Sequence, residues 1–223
     1  MDTQVYPIKV SKLIFKNYCY LVVDTTTRDA VLVDPAWEME KIEQLMQEAD
    51  ANLKAVLITH HHPDHINLAN AFAKKYQIPA MMSQIEISYY NFDCTNLTPI
   101  LSPDVFHVGE LAIMPLFTPG HTKGAVCFWI GGALFTGDTL FIEGCGMCYD
   151  RGSDPGEMFD TLCNLQKILP VDTKIYPGHS YGKEPGAEFQ YLLENNIYLQ
   201  FRDKEQFIEF RMRKNQRGAL AFK

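Results

Sequence analysis

Four histidines and an aspartate fall within six residues, at His60, His61, His62, Asp64 and His65. An apolar, β-branched run from Leu53 to Thr59 precedes them and reads as a buried strand. Apolar residues then recur at helical spacing: Ile66, Leu68, Ala69, Phe72 and Ala73. The cluster is therefore expected on a strand-to-helix loop, where a sheet edge presents side chains to a common point. His60 and His62, two apart on an extended loop, can face one metal ion. Pro63 bends the path and can aim Asp64 and His65 at a second point. Imidazole with carboxylate suits zinc, and also iron or manganese.

Three later stretches repeat the pattern of a strand, a glycine and then a metal-binding side chain. They are Thr118-Pro119-Gly120-His121-Thr122, Phe135-Thr136-Gly137-Asp138-Thr139-Leu140 and Ile175-Tyr176-Pro177-Gly178-His179-Ser180-Tyr181. Each alone is a common turn; their repetition points to a metal centre. Asp34, in the turn Asp34-Pro35, has two readings: a strand-end turn residue, or support beneath the metal site. His107 stands alone and reads as an exposed strand residue.

The elements that must position these residues follow from periodicity. A strand meander is expected around Ile8 to Val10, Tyr18 to Val23 and Ala30 to Val33. Met39, Ile42, Leu45, Met46 and Ala49 mark an amphipathic helix leading to the strand before the histidines, a β-α-β unit. A strand at Ile78 to Met82 and a helix at Gln84 to Asn91 follow, then a loop from Asn91 to Asp104. Val105 to Val108 and Leu111 to Phe117 read as a hairpin about Gly109. Helices are expected at Glu157 to Leu169, Ala187 to Leu199 and Lys204 to Arg213.

A chain of 223 residues allows one sizeable domain with a short appendage. Its net charge of −7 argues against a nucleic-acid partner. Nothing in it reads as a membrane span or a secretory signal, so a cytoplasmic location is expected. The six cysteines are then expected as reduced thiols, and the one CxxC, Cys145 and Cys148, as neither a zinc nor a redox site. Residues 202 to 223 hold seven Lys or Arg against three acids, a net +4. That segment reads either as a solvated face or as a contact for an acidic partner.

Thr59-His60-x-His62-x-Asp64-His65, Gly120-His121-Thr122, Thr136-Gly137-Asp138-Thr139 and Gly178-His179, in that order, resemble the metallo-β-lactamase superfamily, and more closely its glyoxalase II-type thioester hydrolases. The resemblance implies an α/β fold, an αββα sandwich of two mixed sheets with helices outside and metals at one edge. It implies a catalytic domain over residues 1–182 and a short helical extension over 183–223. Carried across, His60, His62 and His121 would hold one metal, Asp64, His65 and His179 a second, and Asp138 both. His61 falls at a variable position. Two Zn2+, or iron or manganese, would hold a bridging hydroxide as the nucleophile, with Asp64 and Asp138 essential to it.

Substrate class is read from subtler residues. Tyr149 and Tyr181 match tyrosines near the family's thiol-ester site. Met147 stands where glyoxalase II has a basic residue that meets the glutathione carboxylate. Losing that contact removes roughly 1.5–3 kcal/mol. With Phe141 and Ile142, Met147 suggests an apolar entrance. The stretch Gly144-Cys145-Gly146-Met147-Cys148-Tyr149-Asp150-Arg151-Gly152-Ser153 resembles the zinc hydrolases of trans-acyltransferase polyketide biosynthesis, which implies an acyl thioester on a carrier protein. The basic C-terminal end would then dock that acidic carrier. A hydroxyacylglutathione hydrolase, an iron-dependent sulfur dioxygenase and a non-catalytic interaction protein are the competing readings.

Overall fold

The computed structural model describes residues 2–12 and 15–214. Its first half runs β1 (Thr3–Lys12), β2 (Phe15–Asp24), β3 (Asp29–Val33), α1 (Met39–Glu48), β4 (Asn52–Leu57), α2 (Pro63–Ile66), α3 (Ala69–Tyr76), β5 (Ala80–Ser83), α4 (Gln84–Tyr90) and β6 (Leu97–Ile100). These strands form one sheet in chain order, antiparallel from β1 to β3 and parallel from β3 to β6. The second half runs β7 (Phe106–Val108), β8 (Leu111–Phe117), β9 (Val126–Ile130), β10 (Ala133–Gly137), α5 (Pro155–Ile168), β11 (Lys174–Pro177), β12 (Ala187–Glu188), α6 (Phe189–Asn195), a 3-10 turn (Ile197–Leu199) and α7 (Lys204–Arg211). Its sheet has the order β12-β11-β10-β9-β8-β7, with only β10 and β11 parallel.

Alternation along the strands builds three apolar layers. Cys19, Leu21 and Val23 of β2 face α1 and α3, and Tyr20 and Val22 face the other sheet. Ala30 and Leu32 of β3 go outward, Val31 and Val33 inward. In β9 and β10, Cys127 and Leu134 meet α5 while Phe128 and Phe135 meet the first sheet. Both faces of these strands are covered, so they read in sequence as continuous apolar runs. The result is the expected αββα sandwich.

Two local differences have physical causes. Leu97–Ile100 is a strand rather than loop, pairing with β5 at the sheet edge, the one place where Pro99 removes no ladder hydrogen bond. Four residues containing a proline carry too little periodicity to be read. The helix expected over Ala187 to Leu199 is broken: Ala187–Glu188 pairs with β11, and Asn196 ends α6 and caps the 3-10 turn through Tyr198 N. His107 is exposed on β7, as read.

The C-terminal segment differs most from expectation. Phe189, Leu192, Tyr198, Leu199 and Phe207 share a core cluster with Leu134, Ile175, Met158 and Leu162. Arg211, counted above among the docking cations, is fully buried. It donates to Tyr198 Oη at 2.8 Å and approaches the Cys145 carbonyl at 3.5 Å. Lys204 pairs with Asp160 at 2.6 Å, and Arg213 donates to the Phe210 carbonyl and Tyr198 Oη. Of the seven basic residues expected to dock a partner, Arg202 and Lys214 are exposed, Lys204 and Arg213 are half-buried, and Arg217 and Lys223 lie outside the described residues. Arg211→Ala should destabilise the chain by about 1–3 kcal/mol, because it strips a buried donor from its acceptors. Urea unfolding checks this, and an unchanged midpoint would return Arg211 to the surface role.

Candidate metal centre

The centre forms where carboxyl ends of strands from both sheets meet. Asp34 follows β3, the His60–His65 segment follows β4 with Asp64 and His65 in the first turn of α2, and His121, Asp138 and His179 follow β8, β10 and β11. Backbone hydrogen bonds stitch the sheets together at this edge: Val126 N donates to Thr59 O (3.0 Å), and Tyr18 N to Gly178 O (2.8 Å). The glycines allow close approach. A Cβ on Gly178 would strike the His65 ring and the Asp138 carboxylate, and Gly137 takes φ +47°, a conformation other residues enter with strain.

All seven residues expected to hold metal converge. One ligand atom from each of His60, His62 and His121 lies within 4.8 Å of the others, and the same holds for Asp64, His65 and His179. Asp138 stands between the sets. Its Oδ1 is 3.4 Å from His65 Nε2, and its Oδ2 is 3.4 Å from His179 Nε2 and 3.7 Å from His121 Nε2. His62 faces inward through Nδ1, 3.0 Å from His121 Nε2, while its Nε2 lies 3.7 Å from Asp150.

Each remaining imidazole is aimed by its outer nitrogen. His121 Nδ1 donates to the Met147 carbonyl (2.7 Å), His179 Nδ1 to the Lys16 carbonyl (2.8 Å) and His65 Nδ1 to Asp34 Oδ2 (3.0 Å). His60 Nδ1 meets Thr59 Oγ1 at 3.0 Å, and Asn17 Nδ2 donates to Asp64 Oδ2 at 2.9 Å. Such partners fix ring orientation and raise ligand basicity. Asp34, grouped by distance with His60 and His65, takes the supporting role of its two readings. It sits in the left-handed region at φ +49° and accepts from Thr59 N, Thr59 Oγ1 and His65 Nδ1.

The donor set fits a cation. His60 Nε2, His65 Nε2 and Asp138 Oδ1 are buried without a hydrogen-bond partner, all pointing into the cluster. The 3.4 Å contact between the last two is an ion-pair distance without hydrogen-bond geometry. Leaving buried polar atoms unmet typically costs about 1–3 kcal/mol each, which coordination would relieve. Charge divides the centre. Burial, reinforced by the other rings, pushes His60 well below its ordinary value and His62 down to about 4, so both are neutral, the metal-binding form. Burial alone would raise Asp138, but His179 and His65 hold it well below the usual carboxylate range. The same attraction outweighs burial at His179, pushing it up to about 10.

The residues expected to meet substrate are less uniform. Tyr181 is half-buried and packs edge-on to Phe141 at 5.5 Å; burial, then Asp138 and Asp64, raise its phenol. Tyr149 is 46% exposed. Met147 is half-buried, and its carbonyl anchors His121, a role its side chain does not announce. Phe141 and Ile142 do not line an open entrance: both are buried, Ile142 within the second sheet's core. Cys145 and Cys148 are buried free thiols; burial pushes Cys145 up to about 12 and Cys148 further. The supporting roles of Asn17 and Thr59 escaped the sequence reading, because a single polar residue at a strand end carries no distinguishing signal.

The metallo-beta-lactamase superfamily model matches residues 15–179. The chain belongs to that superfamily. It is 43% identical to a probable polyketide biosynthesis zinc-dependent hydrolase of Bacillus velezensis, over 99% of this chain and 98% of the relative. It is 34% identical to the cytoplasmic hydroxyacylglutathione hydrolase of Arabidopsis thaliana, over 81% of this chain and 69% of that protein. The crystal structure of ETHE1 from Myxococcus xanthus superposes with a TM-score of 0.81 at 29% identity, covering 92% of this chain and 89% of the other. Among the described residues no helix is long and apolar enough to cross a membrane. Asp34→Ala should lower metal affinity roughly tenfold to a hundredfold by freeing Thr59 and His65. Competition with a chromophoric chelator measures this, and wild-type affinity would remove Asp34 from the support.

Proposed function

We propose that this chain is a dinuclear zinc-dependent hydrolase of acyl thioesters, with the acyl group carried by an acyl carrier protein of a polyketide synthase. The observation that carries the reading is the convergence of seven histidine and aspartate side chains with three buried, unpartnered atoms. The 43% identity to a probable polyketide biosynthesis zinc-dependent hydrolase, over nearly the whole of both chains, supports the substrate class.

In this reading His60, His62 and His121 would hold one metal, Asp64, His65 and His179 the other, and Asp138 would serve both. The metals supply Lewis acidity toward the thioester carbonyl and water activated at neutral pH. The protein's own groups orient the ligand side chains. Asp34 holds His65, the Met147 carbonyl holds His121, the Lys16 carbonyl holds His179, and Asn17 fixes Asp64. Hydrolysis adds water across the carbon–sulfur bond and releases a carboxylic acid and a thiol; with water activated at the metals, no serine or cysteine nucleophile would be required. That agrees with the raised, buried thiols of Cys145 and Cys148. Tyr149 and Tyr181, with Met147, are the substrate contacts of the proposal. The catalytic unit spans 1–182, with 183–223 as its extension.

A second reading is hydroxyacylglutathione hydrolase, favoured by the 34% identity to the Arabidopsis enzyme. Met147 weighs against it, offering a thioether where a cation would meet the glutathione carboxylate.

Zinc-loaded protein is expected to hydrolyse an acyl group faster on a carrier protein or pantetheine arm than the acyl group of S-lactoylglutathione. The reverse order favours the second reading, and no turnover of any thioester sinks both. Asp138→Ala should lose at least one metal ion per chain by elemental analysis, together with nearly all activity. A fully active variant holding two metals would refute the shared role of Asp138.

A further inference from the structure

His61 turns away from the centre that its neighbours His60 and His62 face. Its Nδ1 donates to Glu86 Oε1 at 2.7 Å, and its backbone N–H donates to the same oxygen at 2.9 Å. Its ring stacks on Tyr90, with centroids 3.5 Å apart and planes 12° from parallel. Glu86, in the first turn of α4, is fully buried. Its other oxygen, Oε2, accepts from Thr122 Oγ1 at 3.0 Å and Gly124 N at 2.8 Å. One carboxylate therefore takes two donors from the loop carrying His60 and His62, and two from the loop carrying His121.

The rest of α4 reinforces the second pair. Ser83 Oγ caps the helix by accepting from Glu86 N (3.1 Å) and donates to Gly124 O (2.5 Å). Tyr90 Oη accepts from Lys123 N at 3.1 Å and donates to Arg151 O at 2.8 Å. A Cβ on Gly124 would strike the backbone nitrogen of Glu86, so the His121 loop lies directly on the helix. Among the described residues nothing comparable joins α4 to the other half of the centre. Asp64, His65 and His179 are held by Asn17, Asp34 and the Lys16 carbonyl. Glu86 is not itself suited to a metal: both oxygens are filled by four donors, and it belongs to none of the three convergent clusters.

We infer that Glu86 is a positioning residue that sets the separation of His60 and His62 from His121, and so the metal affinity of the three-histidine half, with His61 as its grip. The inference rests on the metal reading above. Among the described residues this carboxylate is the one group whose two oxygens span both loops. An amide in its place would turn an NH2 toward two donors and release one loop. The consequence is confined to one half of the centre, which separates positioning from a general weakening of the fold.

The test is Co2+ titration of the full chain after metal removal, read by visible absorption and by metal analysis. In a His179→Ala chain, which keeps the three-histidine half, adding Glu86→Gln should lower Co2+ affinity roughly tenfold to a hundredfold and shift the cobalt bands. In a His121→Ala chain, which keeps the other half, the same change should leave affinity alone. Equal losses in both backgrounds, or no loss in the first, overturn the inference. Should Glu86→Gln fail to fold, Thr122→Val and His61→Phe each remove one donor and keep the local shape. Both should weaken the three-histidine half by a smaller factor, and unchanged affinity in both overturns the proposal. A wild-type chain that takes up no cobalt overturns the metal reading, and this inference with it.

Discussion

The largely buried Asp138 carboxylate, faced by imidazoles from three separate segments, is the constraint around which this molecule is built. Its oxygens lie 3.4–3.7 Å from His65, His179 and His121, which belong to loops of both sheets. A carboxylate so buried is tolerated only beside compensating positive charge. His65 and His179 face it at 3.4 Å, and a cation at the same point would supply that charge directly. The glycines at 137 and 178 follow from this crowding, since a side chain at 178 would occupy the space of the His65 ring.

The two sheets exist, in functional terms, to hold that point still. Side chains alternating to both faces of β2, β3, β9 and β10 bury a layer between the sheets and a layer under each set of helices. That rigid stack leaves strand ends at one edge, where the cross-sheet bonds Val126 to Thr59 and Tyr18 to Gly178 lock the loops in register. Around the rim each inward imidazole has an outward partner, so the orientation of the rings is inherited from the backbone.

The C-terminal helices belong to the same scheme. Asn196 donates to the carbonyls of Phe141 and Gly144, and Arg211 reaches that of Cys145. Two residues on, the Met147 carbonyl holds His121. A segment whose charge suggested a docking tail therefore supports the stretch that orients a histidine of the centre. A buried arginine and an exposed one look alike in a sequence.

The sequence by itself determined the superfamily, because its ligand motifs are local signals, and the resemblance they carry implied the αββα architecture. Strand runs end in Gly-His or Gly-Asp turns, helices show apolar faces, and the His60–His65 cluster has its own spacing. Leu97–Ile100 and the break at Asn196 were illegible because pairing at a sheet edge and a side-chain cap come from residues distant in sequence or from neighbouring strands. Only the tertiary structure decided which way each side chain turns: His61 away to Glu86 and His62 inward through Nδ1, Asp34 beneath His65, Phe141 and Ile142 into the interior, and Arg211 under the Cys145 loop. The physical reason is common to all of them. Residue type and spacing state what a side chain can do, and the direction it faces is set by packing among segments that meet only once the chain has folded.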